Sequence, residues 1–136
     1  MRNYTYLCIA IFLAFNLLRA SLSVGMDVRV MNRLGHGKRV NVHCKSKDDD
    51  IGNRVLADGE ELGWHFYVNF DFSTLFFCDV QWDTGTWYHF DAYNADSSFF
   101  DRCGTDCVWM ITEKCLYVFN QRTYLWEPRP YEPTKM

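Results

Sequence analysis

The residues best suited to chemistry in this chain are its cysteines and the histidine beside one of them. Cys44 directly follows His43, and a Cys-His pair can act as an activated nucleophile when both side chains share one site. On a β-strand, however, neighbouring side chains point to opposite faces of the sheet. We therefore expect Cys44 to enter a disulfide and His43 to lie on an outer face. The sequence predicts no catalytic residues.

Two further groups have the side chains that bind metal ions. Asp48-Asp49-Asp50 could begin a calcium loop, but the sixth and twelfth positions from Asp48 are Asn53 and Gly59, where that loop requires Gly and Glu. Cys103 and Cys107 are separated by three residues, and such a pair could bind zinc. In an oxidising compartment, however, the two thiols would form disulfides instead. We expect no metal ion and no cofactor.

The N-terminal segment has the composition of a secretory signal peptide. A basic start, Met1-Arg2-Asn3, precedes an apolar run over residues 6–18, and the small residues Ser21 and Ser23 follow. This order of regions is typical of a leader that is cleaved after the last small residue. We predict a signal peptide over residues 1–23 and a secreted, extracellular protein that starts at Val24. The alternative is an uncleaved N-terminal anchor. No second apolar run is long enough to cross a bilayer, so membrane insertion is not expected.

Cleavage at this position changes both the charge and the cysteine count. It removes Arg2 and Arg19 and no acid, so 14 basic side chains fall to 12 against 17 acidic ones, and the formal charge changes from −3 to −5. An acidic domain does not attract a phosphate backbone, so no nucleic-acid partner is expected. Cys8 leaves with the leader, and five cysteines remain: Cys44, Cys78, Cys103, Cys107 and Cys115. Because this number is odd, one thiol must stay free, stay buried or pair with another molecule.

The cysteines lie within a pattern of apolar residues that has a period of two. Val40, Val42 and Cys44 alternate with polar residues, and Cys78 and Val80 do so as well. This alternation indicates half-buried antiparallel strands. Gly-containing breaks such as Ala57-Asp58-Gly59-Glu60 suit tight turns. We predict an all-β domain over residues 24–127, an antiparallel, immunoglobulin-like β-sandwich of seven to nine short strands stabilised by disulfides. The predicted strands cover residues 26–33, 38–45, 54–57, 62–69, 74–82, 86–93, 107–112, 115–120 and 122–126.

All three prolines lie near the C-terminus, at Pro128, Pro130 and Pro133. Proline has no backbone N–H and interrupts the hydrogen bonds of a sheet. The sequence therefore predicts a flexible, Pro-rich tail over residues 128–136, in which the prolines terminate the last strand. The alternative is a Pro-rich ligand for a groove-binding domain.

The chain resembles the plant self-incompatibility S-protein family, also called S-protein homologues. The order and spacing of the motifs agree over essentially the whole mature chain, and the most specific block is His43-Cys44-Lys45-Ser46-Lys47-Asp48-Asp49-Asp50. The resemblance implies a small secreted β-sandwich. It also implies a non-enzymatic signalling ligand that engages a cell-surface membrane protein, since the best-known members are stigma-side signals that arrest incompatible pollen. The matching segments are residues 28–32, 42–52, 64–66, 74–78, 82 and 103–109.

The disulfide pairing and the fate of the fifth thiol remain open at the level of sequence. Four cysteines allow three pairings. Cys44 and Cys107 lie at predicted strand ends and Cys103 lies in a loop that could reach Cys78, which favours Cys44–Cys107 with Cys78–Cys103. Cys115 departs from the four-cysteine pattern of the family. We expect it to be the unpaired thiol, in a monomer or in a dimer linked through Cys115.

Recognition is expected in the loops. The candidate recognition loop is the longest polar connection, which Cys103 tethers at its far end; its residues are Asn94, Ala95, Asp96, Ser97 and Ser98. Phe99 and Phe100 are either core residues or an exposed anchor for a partner, and residues 47–53 form a second candidate. Two alternatives to a signalling ligand remain: a secreted carbohydrate-binding module that stacks sugars on Trp87 or Trp126, and a small apoplastic enzyme or inhibitor.

Overall fold

A computed structural model of the protein describes residues 2–22, 24–69, 71–96 and 102–135. Within these residues a helix, α1, is followed by ten strands. The elements are α1 Arg2–Leu22, β1 Gly25–Asn32, β2 Val40–Lys45, β3 Asp50–Leu56, β4 Glu61–Tyr67, β5 Leu75–Gln81, β6 Tyr88–Asn94, β7 Asp106–Ile111, β8 Leu116–Asn120, β9 Leu125–Arg129 and β10 Glu132–Pro133.

The strands form two five-stranded sheets, which pack as a sandwich. The first sheet has the order β4-β1-β7-β8-β9 and the second has the order β10-β6-β5-β2-β3. The predicted all-β sandwich is confirmed. Two details were not predicted: β10 adds a tenth strand, and β1 and β7 pair in parallel, whereas the other strand pairs are antiparallel.

The alternating residues of the sequence supply the core between the sheets. Every second residue of β5 is buried, and β2 shows the same alternation. Side chains of one parity on a strand face the opposite sheet, where burial of apolar area stabilises the fold by about 25 cal/mol per Å². The fully buried aliphatic residues among those described, each 0% or 1% exposed, are Val28, Val30, Val40, Val42, Val80, Ala92, Ile111 and Leu116.

Two buried side chains form hydrogen bonds to backbone groups of other segments. The Trp109 Nε1–H in the first sheet donates to the Ala92 carbonyl in the second, at 2.9 Å. The amide of Asn32, which is 0% exposed, donates to the Lys38 carbonyl at 2.9 Å and to the Leu56 carbonyl at 3.0 Å. Its Oδ1 accepts from the Leu34 N–H at 3.0 Å. Buried polar groups that are fully hydrogen-bonded fix one arrangement of the chain.

The disulfides differ from the expected pairing. Cys44 pairs with Cys78, and Cys103 pairs with Cys107, so the predicted Cys44–Cys107 and Cys78–Cys103 bridges are wrong. The physical reason is strand register. Cys44 of β2 lies directly opposite Cys78 of β5 in the second sheet, with 4.1 Å between their Cα atoms. Cys107 belongs to β7, which is in the other sheet, and it forms its disulfide with Cys103, four residues before it.

The C-terminal segment also differs from the expected flexible tail. Pro128 lies within β9, an edge strand, where a missing N–H is tolerated. Pro133 lies in β10, which pairs with β6. Between them the Tyr131 hydroxyl donates to the Thr112 carbonyl at 2.6 Å, and its ring packs 4.9 Å from that of Tyr88. Residues 128–133 thus close one side of the sandwich.

The predicted leader coincides with α1, and the sandwich begins directly after it. β1 starts at Gly25, and the Val24 carbonyl accepts from the Val68 N–H at 2.9 Å. Cleavage after Ser23 would therefore leave every strand intact. Within the described ranges, no helix combines the length and the apolar character that crossing a bilayer requires.

Candidate recognition surface

The connections between strands gather at the two ends of the sandwich. One end, here called the loop end, carries the described parts of four connections, at residues 46–49, 68–69 with 71–74, 95–96 with 102–105, and 121–124. Hydrogen bonds tie these loops together, since Ala95 N–H donates to the Thr74 carbonyl at 2.9 Å and Gln121 N–H donates to the Arg102 carbonyl at 2.8 Å. The opposite end carries residues 33–39, 57–60, 82–87 and 112–115. The described residues of both predicted recognition loops therefore lie at the loop end.

The first candidate loop starts from a fixed point. Asn94 is the last residue of β6, and its Oδ1 accepts from the Asp96 N–H at 3.0 Å. Ser97 and Ser98, as well as Phe99 and Phe100, lie outside the described residues. Beyond them, the Cys103–Cys107 bridge ties the far end of the connection to β7.

The second candidate, residues 47–53, divides into a turn and a strand. Ser46 N–H donates to the Asp49 carbonyl at 2.7 Å, which closes the turn. Asp50 already belongs to β3. Its Oδ1 accepts from the Gly52 N–H at 2.8 Å and lies 2.7 Å from His43 Nε2, and these two contacts, the backbone one foremost, hold the pKa of Asp50 below its ordinary value. The strand half of this candidate therefore has a structural role.

Exposed aromatic residues at the loop end were missed by the sequence reasoning. Phe72 is 65% exposed and Tyr124 is 75% exposed, and both have a positive φ, of 57° and 60° respectively. A left-handed backbone costs an ordinary residue about 1–2 kcal/mol, and such strained residues concentrate at functional sites. The available signal was an aromatic residue inside a turn-forming segment, as in Asp71-Phe72-Ser73.

A cleft of about 540 Å³ lies beside the turn at residues 46–49 and the described residues 69 and 71–74. Its lining includes the aromatic residues Phe66, Tyr67 and Phe77 and the charged residues Asp48, Asp49, Asp71 and Lys47. Two hydrogen bonds to Asp71 Oδ1, from the Ser73 hydroxyl at 2.6 Å and the Ser73 N–H at 3.2 Å, hold the pKa of this carboxyl below its ordinary value.

His43, His65 and His89 occupy outer faces, and each pairs with an aspartate. His65 Nδ1 lies 2.9 Å from Asp27 Oδ1, and His89 Nδ1 lies 2.9 Å from Asp79 Oδ1. Cys44, the residue next to His43, is disulfide-bonded to Cys78, so it offers His43 no thiol to activate. Among the described residues, no group of three or more His, Cys, Asp or Glu side chains is arranged to hold a metal ion.

A larger cleft of about 700 Å³ runs beside β10. Within it, Asp79 contacts both His89, at 2.9 Å, and the Thr134 hydroxyl, at 3.0 Å. The contact with Thr134 helps to hold the segment after β10 against the sheet.

Comparison with known proteins identifies the family. The profile described as "Plant self-incompatibility protein S1" matches residues 27–129, which is most of the chain. The chain belongs to this family. Self-incompatibility protein S1 of Papaver rhoeas is 37% identical over 102 residues, a match that covers 75% of this chain and 73% of the relative. S-protein homolog 3 of Arabidopsis thaliana is 38% identical over 106 residues, which cover 73% of this chain and 67% of that protein.

A solved structure of SPH (Self-Incompatibility Protein Homologue) proteins has the same fold as this S-protein. The superposition gives a TM-score of 0.58 and covers 82% of this chain and 92% of the other, at 17% sequence identity. The SPH proteins of that structure are described as a widespread family of small, highly stable, secreted proteins from plants. At this level of identity the likeness supports the fold.

The fifth cysteine of this S-protein lies far from the loop end. Cys115 is a free thiol of intermediate exposure in the turn between β7 and β8. Its Sγ lies 3.3 Å from the Leu116 carbonyl oxygen, and its hydrogen bond to Tyr117 raises the pKa of that phenol.

The two tryptophans that could stack a sugar lie apart. Trp87 and Trp126 are each 39% exposed, but Trp87 belongs to the connection at the opposite end and Trp126 belongs to β9.

Proposed function

We propose that this S-protein is a secreted, non-enzymatic signalling ligand that binds a cell-surface membrane protein through its loop end. The observation that supports the proposal most is that the described residues of both predicted recognition loops lie at the end that exposes Phe72 and Tyr124. A stiff sandwich can hold loops of differing sequence in fixed positions. Aromatic residues held in this way are the side chains that most often dominate the binding energy of protein interfaces.

The bridges near the loops support the same proposal. Cys78 is the central residue of β5, and Cys107 is the second residue of β7, so both disulfides brace strands that lead to or from these loops. A loop that is fixed before binding loses less conformational entropy when it binds. The domain is therefore suited to present a preformed surface.

Secretion is part of the proposal. It is supported by the composition of residues 1–23, by the start of the sandwich at Gly25, and by the description of SPH proteins as secreted. N-terminal sequencing of protein recovered from the medium of expressing plant cells should give a chain that starts at Val24. A retained leader would contradict the soluble-ligand proposal.

The biological setting is proposed from the relatives. The Papaver rhoeas relative is named a self-incompatibility protein, which supports a role in pollen–pistil recognition and rejection of self pollen. A carbohydrate-binding module is the less supported alternative, because Trp87 and Trp126 do not form one stacking surface.

The experiment is a loop exchange. Residues 94–98 are replaced with those of a related S-protein, and binding to plasma-membrane vesicles from the cognate tissue of each parent is measured. We expect the exchange to transfer vesicle preference while the melting temperature stays nearly unchanged. The matched control exchanges residues 57–60 at the opposite end and should keep the original preference. Unchanged binding after the first exchange would refute a role of this loop in choosing the partner.

A further inference from the structure

We propose that the outer face of the first sheet is a homodimer interface, at which a second copy of this chain packs against β7, β8 and β9. The inference goes beyond the proposed function and needs only one part of it, secretion, for a disulfide between the two copies to form in the plant. The side chains that form the interface are here called the apolar face; they are Met31, Met110, Tyr117, Phe119, Trp126 and Pro128.

Strand register brings the first row of the apolar face together. Met31 lies opposite Met110, and Met110 lies opposite Tyr117. Tyr117 in turn lies opposite Pro128, so this row crosses four strands. Successive side chains of a strand point to opposite sides of the sheet, and the chain neighbours of this row on β1, β7 and β8 are buried. The row therefore points away from the core. The buried neighbours are Val30, Asn32, Trp109, Ile111, Leu116 and Val118.

The second row of the apolar face is aromatic. Phe119 lies opposite Trp126, and their ring centroids are 5.1 Å apart. Trp126 is 39% exposed. The ring of Tyr124, which is 75% exposed, lies 6.4 Å from that of Phe119 and extends the row. Large apolar side chains thus cover this side of β8 and β9.

The outer face of the second sheet shows the opposite composition. His43 lies opposite Asp79, and Asp79 lies opposite His89. His89 lies opposite Glu132, so this row also crosses four strands, and each of its side chains is polar. Outward-facing residues of a sandwich are normally polar, whereas a contiguous apolar patch marks an interaction site. The first sheet departs from the usual pattern, and the second does not.

The size of the apolar face indicates a weak contact. Four strands spaced by about 4.8 Å and three rows spaced by about 6.8 Å, the third at the position of Cys115, cover roughly 400 Å² in projection. A stable complex buries about 800 Å² on each partner. Two copies should therefore associate only weakly through the face alone, and a covalent link would be needed for a lasting dimer.

The free thiol lies at the end of the apolar face. Cys115 directly precedes β8 and has the same parity as Tyr117, with which it forms a hydrogen bond. It is half-exposed. An odd cysteine in a secreted protein points to pairing between molecules. Because a two-fold contact uses the same patch on both copies, the thiol favours a second copy of this chain over a different protein as the occupant.

A two-fold axis along β8 accounts for both features. It places Cys115 opposite Cys115 of the second copy and β7 of one copy over β9 of the other. The two rows carry no charged side chain, so the acidic copies are not repelled where they touch. Stacked sheets lie about 10 Å apart, whereas a disulfide needs Cα atoms about 5.5 Å apart. The bridge therefore forms at the end of the interface, where the turn at residues 112–115 approaches the other copy.

The covalent step is an oxidation of two thiols. Each Cys115 loses one proton and one electron as the sulfur–sulfur bond forms. A disulfide oxidant such as oxidised glutathione accepts both and leaves as two reduced thiols. The dimer is thus expected only where such an oxidant is present.

The first test incubates the mature protein, with both disulfides formed, with oxidised glutathione and follows the products on non-reducing gels. Peptide mapping should identify a Cys115–Cys115 link. Trp126→Lys should slow dimer formation about tenfold, because it buries an unpaired charge in the interface. The matched control Trp87→Lys adds the same charge at a residue of equal exposure, 39%, outside the apolar face, and should dimerise like the parent. Reaction of Cys115 with a small maleimide verifies equal access to the thiol, and melting curves verify folding.

The second test measures the contact without the covalent link or a change in the face. Amide signals of ¹⁵N-labelled Cys115→Ser are recorded over a dilution series. Signals of residues 108–110, 117–119 and 126 should move with protein concentration, and those of residues 41–45 in the second sheet should not.

The inference is overturned if the parent forms only a mixed disulfide of Cys115 with glutathione, if Trp126→Lys dimerises as fast as Trp87→Lys, or if dilution leaves the signals of the apolar face unchanged. Neither test involves a receptor or vesicles. A negative result here therefore leaves recognition through the loop end standing, and a failed exchange of residues 94–98 leaves the dimer standing.

Discussion

Removal of the Cys44–Cys78 disulfide should destabilise this S-protein more than removal of the Cys103–Cys107 disulfide. The first bridge joins β2 to β5 across a sequence separation of 34 residues, and the second closes a separation of only 4 residues. A disulfide restricts the unfolded chain, and the restriction grows with the length of the loop that it closes. The two bridges are therefore unequal although both lie in the core.

The difference can be calculated from the loop lengths. The chain-entropy relation gives about 3.8 kcal/mol for the long loop and about 1.9 kcal/mol for the short one at 25 °C. The four sulfur-bearing residues are each 0% or 1% exposed, so the loss of packing on Cys→Ala substitution is similar for both bridges and largely cancels. The difference of about 2 kcal/mol corresponds to about thirtyfold in the unfolding equilibrium constant.

The assay is urea unfolding of the two double-alanine variants, followed by tryptophan fluorescence. Both variants carry Cys115→Ser, as does the reference protein, so that the free thiol cannot exchange with the remaining bridge. The midpoint and slope give the free energy of unfolding of each. If the Cys103→Ala, Cys107→Ala variant loses as much stability as the Cys44→Ala, Cys78→Ala variant, or more, the reasoning from loop length is refuted.

Three other predictions concern the core and the acid stability. Asn32→Leu should lower the free energy of unfolding by about 3 kcal/mol in urea titrations, because three backbone groups lose the side chain that they bond to. A loss below about 1 kcal/mol would contradict this, since it would show that the three groups find other hydrogen-bond partners. Trp109→Phe removes the hydrogen bond to the Ala92 carbonyl and should lower the melting temperature, whereas the exposed substitution Trp87→Phe should not. The pKa of Glu127 lies below its ordinary value of 4.5, chiefly through its hydrogen bond from Asn120, so its stabilisation is present above that value and is lost as the pH falls through the folded pKa. Glu127→Gln should therefore flatten the acid side of the stability–pH curve, and an unchanged acid side would contradict this assignment.

Strand positions could be predicted from sequence where one face of the strand is buried. In β2 and β5 the apolar residues alternate because one side of each strand contacts the core, and the predictions for residues 38–45 and 74–82 overlap these strands. β3 was predicted only from residue 54. It is an edge strand whose first six residues are exposed or half-buried, so the sequence there carries no alternation to detect.

The pairing of strands could not be predicted, because it depends on contacts between residues far apart in the chain. The parallel pairing of β1 with β7 joins residues such as Val28 and Cys107, and nothing in either segment indicates the direction of its neighbour. The disulfide error has the same origin. Cys44 and Cys78 are partners because β2 and β5 are neighbours in register, and a spacing argument that lacks this register cannot choose among three pairings.

The candidate site was predicted in part. The polar connection after Asn94 and the acidic turn at residues 46–49 are visible in the sequence, since turn-forming residues follow predicted strands. That both belong to one end of the sandwich follows only from the order of the strands. The exposure of Phe72 and Tyr124 depends on left-handed turns, which aromatic residues rarely adopt and which composition does not indicate.

The most direct test of the proposed function is site-specific photo-crosslinking at the two ends of the sandwich. Benzoylphenylalanine is placed at Asp96 in one variant of the mature protein and at Asp58 in another, and each is irradiated on plasma-membrane vesicles from the cognate tissue. The proposal predicts a crosslink to a membrane protein from position 96, abolished by excess unmodified protein, and none from position 58. A competable crosslink from position 58 alone, or equal crosslinks from both positions, would contradict recognition through the loop end.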